Sequence, residues 1–186
     1  MRPFINPPEK IPFLIHLGLI IARRITGKEM LPAKILAWYP RAAIGSGLLE
    51  SLTAHRDGRL NERILKIVRL QASYAVACPF CIDMNSFHYD DQITNEELKA
   101  LQGRIELEDI STFSDAEKLA IRYARLISQT PLQFPEEFIE KLKRCFHERE
   151  IVILASTAAQ VNYWARLIQA LGVPPAGFTS QCELGE

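Results

Sequence analysis

Apolar residues recur at three- and four-residue intervals in nearly every long segment of this 186-residue chain, and strict two-residue alternation is hard to find. The first spacing builds one apolar face on a helix, and the second would build one on a strand. The chain therefore reads as all-α, a series of helices joined by short breaks. The last segment, from about Glu148 to Leu171, contains the run Ile151-Val152-Ile153-Leu154, which could be a buried strand. Its length without Gly or Pro favours a helix, and Gly172-Val173-Pro174-Pro175 ends it.

Local signals set the other boundaries. A first helix runs from about Pro12 to Arg24 and stops at Thr26-Gly27-Lys28. Two helical pieces follow between Pro32 and His55, broken near Tyr39-Pro40 because proline disfavours helix at the residue before it. Asn61 caps a long helix that leads toward Tyr74 and Val76. Thr94 with Glu97, and Ser114 with Glu117, have the capping-box spacing that opens two more helices. Pro135-Glu136-Glu137 starts another. No low-complexity linker divides the chain, so residues 1–58 read as a helical extension packed on a core of residues 59–175, with 176–186 as a tail.

Lys plus Arg and Asp plus Glu number 22 each, so no net field draws nucleic acid or an anionic membrane by charge. The apolar stretch Ile11–Ala22 is interrupted by His16 and ends at Arg23-Arg24, too short for a transmembrane segment. Four cysteines, at 78, 81, 145 and 182, are too sparse for a secreted disulfide scaffold. A reduced cytoplasm is the expected compartment.

The chemistry that stands out is Cys78-Pro79-Phe80-Cys81. Two cysteines at this spacing can close a small disulfide, or let one thiolate attack an oxidised sulfur or peroxide while the other resolves the product. Pro79 sharpens the reading: proline favours the first helical position, which makes Cys78 the cap of a helix through Ile82 and Met84. A thiolate there meets unpaired backbone N–H groups and the positive end of the helix dipole, which lower its pKa. The reading requires sulfurs that can be reached and can join reversibly. Inert buried thiols are the competing interpretation. A structural zinc site would need His88, Cys145 or His147 as further ligands, and without a second cysteine pair the reading asks for no metal and no cofactor.

The helix leading into Cys78-Pro79-Phe80-Cys81-Ile82-Asp83-Met84-Asn85, the preceding Arg69-Leu70-Gln71-Ala72-Ser73 and the late stretch Gln160-Val161-Asn162-Tyr163-Trp164-Ala165-Arg166-Leu167 together resemble the carboxymuconolactone decarboxylase and AhpD-like alkylhydroperoxidase family. The resemblance covers about Leu60 to Gly172. It implies an AhpD-like helical domain that forms homo-oligomers, at least dimers, with the second cysteine attacking peroxide. In peroxidase members a Glu twelve residues before the first cysteine and a His four after the second form a proton relay. Here those positions are Lys66 and Asn85. Decarboxylation is associated with members that lack the cysteine pair.

Asn85 cannot exchange a proton at neutral pH, so it can orient the Cys81 sulfur but cannot serve as its base. Lys66 would lower the thiol pKa by charge if its ammonium faces the sulfurs, and is otherwise a solvated helix residue. Asp83 offers a nearby carboxylate. His88 lies two turns past Cys81, about 10 Å of helical rise, and would need a bridge. The expectation is a thiol oxidoreductase, a peroxidase or disulfide reductase, that takes electrons from a protein or small-thiol donor and has weak peroxide turnover. The alternative is a non-catalytic oligomeric binding or structural protein. Among the remaining candidates, Arg166 with Asn162 could line a pocket or bind a carboxylate, or Arg166 could pair with an acidic neighbour such as Glu148 or Glu150 in another turn or chain while Trp164 packs in the core. His16 is expected at a subunit contact, and His55 and His147 at solvated helix ends.

Overall fold

In the computed structural model, which describes residues 2–53, 60–87 and 92–178, every regular element among the described residues is helical. The centre is α4 (Glu62–Ala75), the fourth of nine α-helices in that set, opened by Asn61, whose side chain accepts the Ile64 N–H at 2.9 Å. Its pattern buries two sides at once. Leu65, Val68 and Ala72 face the larger apolar cluster with Leu154, Ala158 and Val161, while Ile67 and Leu70 face a smaller one with Leu101, Leu107 and Ile121. Helices α7 (Asp115–Ile127) and α9 (Glu148–Ala170) pack on α4 and on each other. Fully buried Ala120, Ala124, Ala158 and Ala165 keep the side-chain layers thin, and interaxial distance depends on that thickness.

The run Ile151–Leu154 that could have been a strand lies inside the 23-residue α9. Both capping boxes form as the spacing predicts, at α6 (Asn95–Leu101) and α7. Arg63 of α4 ties the two boxes together: Nε donates to Glu117 at 2.7 Å and Nη2 to Glu97 at 2.6 Å. The Glu97 side chain is almost wholly buried. Burial works to raise its pKa, but hydrogen bonds from Arg63, the Thr94 backbone and Thr112 outweigh it and hold the carboxyl below its ordinary range.

The N-terminal segment supplies α1 (Phe13–Thr26), α2 (Leu31–Leu36) and α3 (Pro40–Glu50), with the break at Tyr39-Pro40 where proline dictates it. Of the α1 side chains only Ile15 is buried; Phe13 and Ile25 are 77 % and 78 % exposed, and Leu14, Leu17, Ile20 and Ile21 are exposed with them. His16 is likewise exposed in the single chain. Helix α3 docks on α9 through polar groups: Ser46 and Tyr163 share a hydrogen bond of 2.8 Å, and Gln160 and the Trp164 indole both donate to Glu50. Helix α8 (Glu136–Cys145) begins one residue later than the sequence suggested, with Pro135 as its cap. No helix among the described residues is long and apolar enough to cross a membrane.

Candidate functional site

The site is built by a reversal between α4 and α5 (Pro79–Asn85). Helix α4 ends in a Schellman arrangement: the Ala77 N–H donates to Tyr74 O at 3.0 Å and the Cys78 N–H to Ser73 O at 3.2 Å. Ala77 takes the left-handed conformation, φ 46°, a position where glycine would be unstrained. The turn leaves Cys78 at the cap of α5 with Pro79 at the first helical position, as the sequence predicts, and the Cys81 N–H donates to Cys78 Sγ at 3.3 Å. Cys78 and Cys81, with Cα atoms 5.2 Å apart, are joined as a disulfide. The sulfur at the cap thus faces the backbone donors that would stabilise a thiolate after reduction.

Accessibility corrects one expectation. Cys78 is 0 % and Cys81 4 % exposed, so the pair is joined but buried in the single chain. The cause is packing: α5 lies against α4 and α9, and both cysteines belong to the larger apolar cluster. Two elements from far away in sequence approach the other side of α5. Phe80 shares a cleft of about 400 Å³ with the α1–α2 turn (Gly27 to Glu29) and with Pro174, Pro175 and Ala176 beyond α9. Further along, the Phe178 N–H donates to Asp83 Oδ2 at 3.0 Å.

The supporting residues take distinct places. Lys66, half-buried on α4, donates to Phe87 O at 2.7 Å, which puts its ammonium at the C-terminal end of α5, opposite the Cys78 cap. Asn85 does not turn to the Cys81 sulfur. Its amide donates to Ser73 Oγ at 3.0 Å, and the Ser73 hydroxyl donates to Arg69 O at 2.7 Å. Asp83 is fully buried and fastens the segment after α9. His88, His55 and Cys182 lie outside the described residues. Cys145, half-buried, ends α8, and His147 caps α9 from an exposed position.

The late Asn-Tyr-Trp-Ala-Arg stretch proves to be a fastening rather than a pocket. Asn162 donates to Ser128 Oγ at 3.0 Å and Arg166 to Thr130 Oγ1 at 2.9 Å, pinning the α7–α8 connection to α9. Within the chain Arg166 does not pair with Glu148 or Glu150, because those acids sit at the start of α9, more than four turns away. Trp164 is half-buried against the core with its N–H on Glu50. What sequence reasoning missed is the contribution of residues 173–178 and of Lys28. The only signal was the pair of prolines after Gly172, which mark an extended segment without saying where it goes.

Comparison with solved structures decides the architecture. A cysteine-to-alanine variant of the debrominase Bmp8, in complex with 2,3,4-tribromopyrrole, superposes with a TM-score of 0.79 over 98 % of this chain and 99 % of its own, at 16 % identity. An alkylhydroperoxidase AhpD core from Ralstonia eutropha JMP134, an uncharacterised peroxidase-related protein, gives 0.76 over 97 % and 94 %, at 13 % identity. The chain has the AhpD-like fold. The resemblance drawn from the cysteine helix and the late α9 residues is borne out at that level, and the matches take in α1 to α3 as well as the core. In sequence, the uncharacterised protein YnjA of Escherichia coli strain K12 is 23 % identical over 175 residues, 92 % of this chain and 93 % of YnjA. No protein-family profile matches the chain. In this fold α5 carries the paired cysteines at its N-terminus, while Lys66 reaches Phe87 just past its other end and Asn85 turns to Ser73.

Proposed function

We propose that this AhpD-like chain is a thiol-based oxidoreductase working through Cys78 and Cys81. The observation that carries the reading is the disulfide across the first turn of α5, with Pro79 setting the helix start and the Cys81 N–H on the cap sulfur. In one half-cycle two equivalents of a protein or small-molecule thiol reduce the pair. The first thiolate attacks one sulfur, breaks the intramolecular S–S bond and forms a mixed disulfide; the second releases the oxidised donor, leaving two thiols. In the other half-cycle the pair gives back two electrons. Attack of Cys81 on a hydroperoxide yields a sulfenic acid and an alcohol, and Cys78 then displaces water to restore the disulfide. With a disulfide as oxidant, exchange returns two thiols instead.

Peroxide is the weaker of these oxidants. Lys66 and Asn85 stand where the resemblance implies a carboxylate and an imidazole, and neither can relay a proton to the reacting oxygen at neutral pH. Disulfide exchange asks only for a thiolate and an accessible partner sulfur. The reading places the protein in a reducing cytoplasm, as a homo-oligomer whose subunits bury the exposed apolar face of α1 against a second copy.

Thiol titration tests this. Alkylation of the reduced protein across pH should give one depressed thiol pKa, and a mild disulfide oxidant should re-form the Cys78–Cys81 bond stoichiometrically. Ordinary or raised pKa values without re-formation would instead support a non-catalytic oligomeric protein, the second reading, which the burial of both sulfurs favours.

A further inference from the structure

Breaking the Cys78–Cys81 bond removes the covalent link across the first turn of α5, and hydrogen bonds must then keep the two thiols within bonding reach. Two of those bonds end on Ser73, in the last turn of α4. Its carbonyl accepts the Cys78 N–H at 3.2 Å, and its hydroxyl accepts the Asn85 amide at 3.0 Å. The hydroxyl gives its single proton to Arg69 O at 2.7 Å, one turn back. It therefore meets Asn85 only as an acceptor, and the amide must present its nitrogen. Ser73 is fully buried, so water does not compete for these bonds. Cys78 opens the disulfide turn and Asn85 lies one helical turn beyond Cys81. Ser73 thereby ties both flanks of the disulfide to α4. Another α4 side chain on this stretch, Lys66, meets Phe87 O in an exposed bond past the end of α5.

We infer that Ser73 is a positioning residue for the redox pair, holding α5 on α4 so that Cys78 and Cys81 stay matched for re-oxidation once their bond is broken. This inference rests on the redox reading of the same pair. In the oxidised chain the disulfide already fixes Cys81 relative to Cys78, and the Asn85 anchor adds little order. In the dithiol the covalent tether is gone and the anchor carries that order. Losing the anchor lowers the effective concentration of one thiol at the other, which makes the disulfide easier to reduce.

The measurement is the equilibrium of the full-length protein with glutathione. Two glutathione thiols give up two electrons and two protons and become one disulfide, while the protein S–S bond becomes two thiols. The equilibrium does not depend on how the buried sulfurs are reached; it is approached from the oxidised and the reduced protein and read by alkylation and mass spectrometry. Ser73→Ala and Asn85→Ala should each lower the effective concentration about three- to tenfold, the ratio one hydrogen bond sustains. The double variant should fall no further than either single one, because both remove the same bond. Ser128 supplies the control, since its hydroxyl likewise donates four residues back, to Ala124 O at 2.8 Å, and accepts an asparagine amide, that of Asn162, at 3.0 Å. Ser128→Ala should lower stability in chemical denaturation and leave the thiol equilibrium unchanged. Wild-type equilibria in Ser73→Ala and Asn85→Ala, multiplied effects in the double variant, or an equal shift in Ser128→Ala would each overturn the role of Ser73 and leave the redox pair standing. Wild-type protein that fails to reach one thiol–disulfide ratio from both directions overturns the redox reading, and this inference with it.

Discussion

Replacing Lys66→Glu together with Asn85→His tests whether the missing relay, rather than the buried sulfurs, limits peroxide chemistry. The geometry puts both positions in play. The Lys66 side chain already spans from α4 to the last turn of α5, where it meets Phe87 O, and residue 85 stands four after Cys81, one helical turn along the same face. A carboxylate at 66 and an imidazole at 85 would restore, at the positions the resemblance assigns them, the two proton-carrying groups that this chain lacks. A positioned general base contributes about 10²- to 10⁴-fold, or roughly 3–5 kcal/mol of barrier. The cost is two hydrogen bonds, Lys66 to Phe87 and Asn85 to Ser73, at about 1 kcal/mol each, against a total stability of about 5–15 kcal/mol for a domain. The double variant should therefore fold. Stopped-flow single-turnover consumption of a hydroperoxide by pre-reduced protein should accelerate by at least about 100-fold at neutral pH, with each single change giving far less because the groups act as a unit. Equal rates in the folded double variant and the wild type, or rapid turnover by the wild type alone, would refute the reasoning.

Four further outcomes follow from particular residues. Arg63→Met strands Glu97 and Glu117 without their shared cation and should cost about 3–5 kcal/mol in chemical denaturation, while Glu97→Gln in the same background should recover part of it; full stability of the single variant would contradict the network. Because the Glu97 carboxyl is held below its ordinary range in the fold, its contribution is present above the unfolded carboxylate pKa and disappears as pH falls through the lower folded value, so Glu97→Gln should flatten the acid limb of a stability–pH curve. Ala77→Gly relieves a left-handed alanine and should raise stability by about 1 kcal/mol, read as an increase in Tm without loss of disulfide re-formation. On the exposed face of α1, Leu14→Asp should shift sedimentation velocity toward a monomer; an unchanged assembly would move the subunit contact elsewhere.

The helices and their boundaries were largely legible in the amino-acid order because the signals are local. Thr94 with Glu97, Ser114 with Glu117, Asn61, and Pro79 behind Cys78 each act within one helical turn, where the chain's own spacing decides which donor meets which acceptor. The pairing of Cys78 with Cys81 belongs to the same class, since three residues of helix bring the two sulfurs together regardless of what surrounds them. Everything that depends on a distant partner was undecided. That Asn85 turns to Ser73, that Lys66 reaches Phe87, that Arg166 holds Thr130, and that Lys28 and Asp83 share a segment from beyond α9 are set by how the helices pack. Side chains of this length reach several neighbours equally well in sequence terms, and only the tertiary arrangement removes all but one. Burial of the cysteine pair is the largest such decision: the sequence places two sulfurs at a helix start, and the packing of α5 against α4 and α9 determines how deeply they are buried.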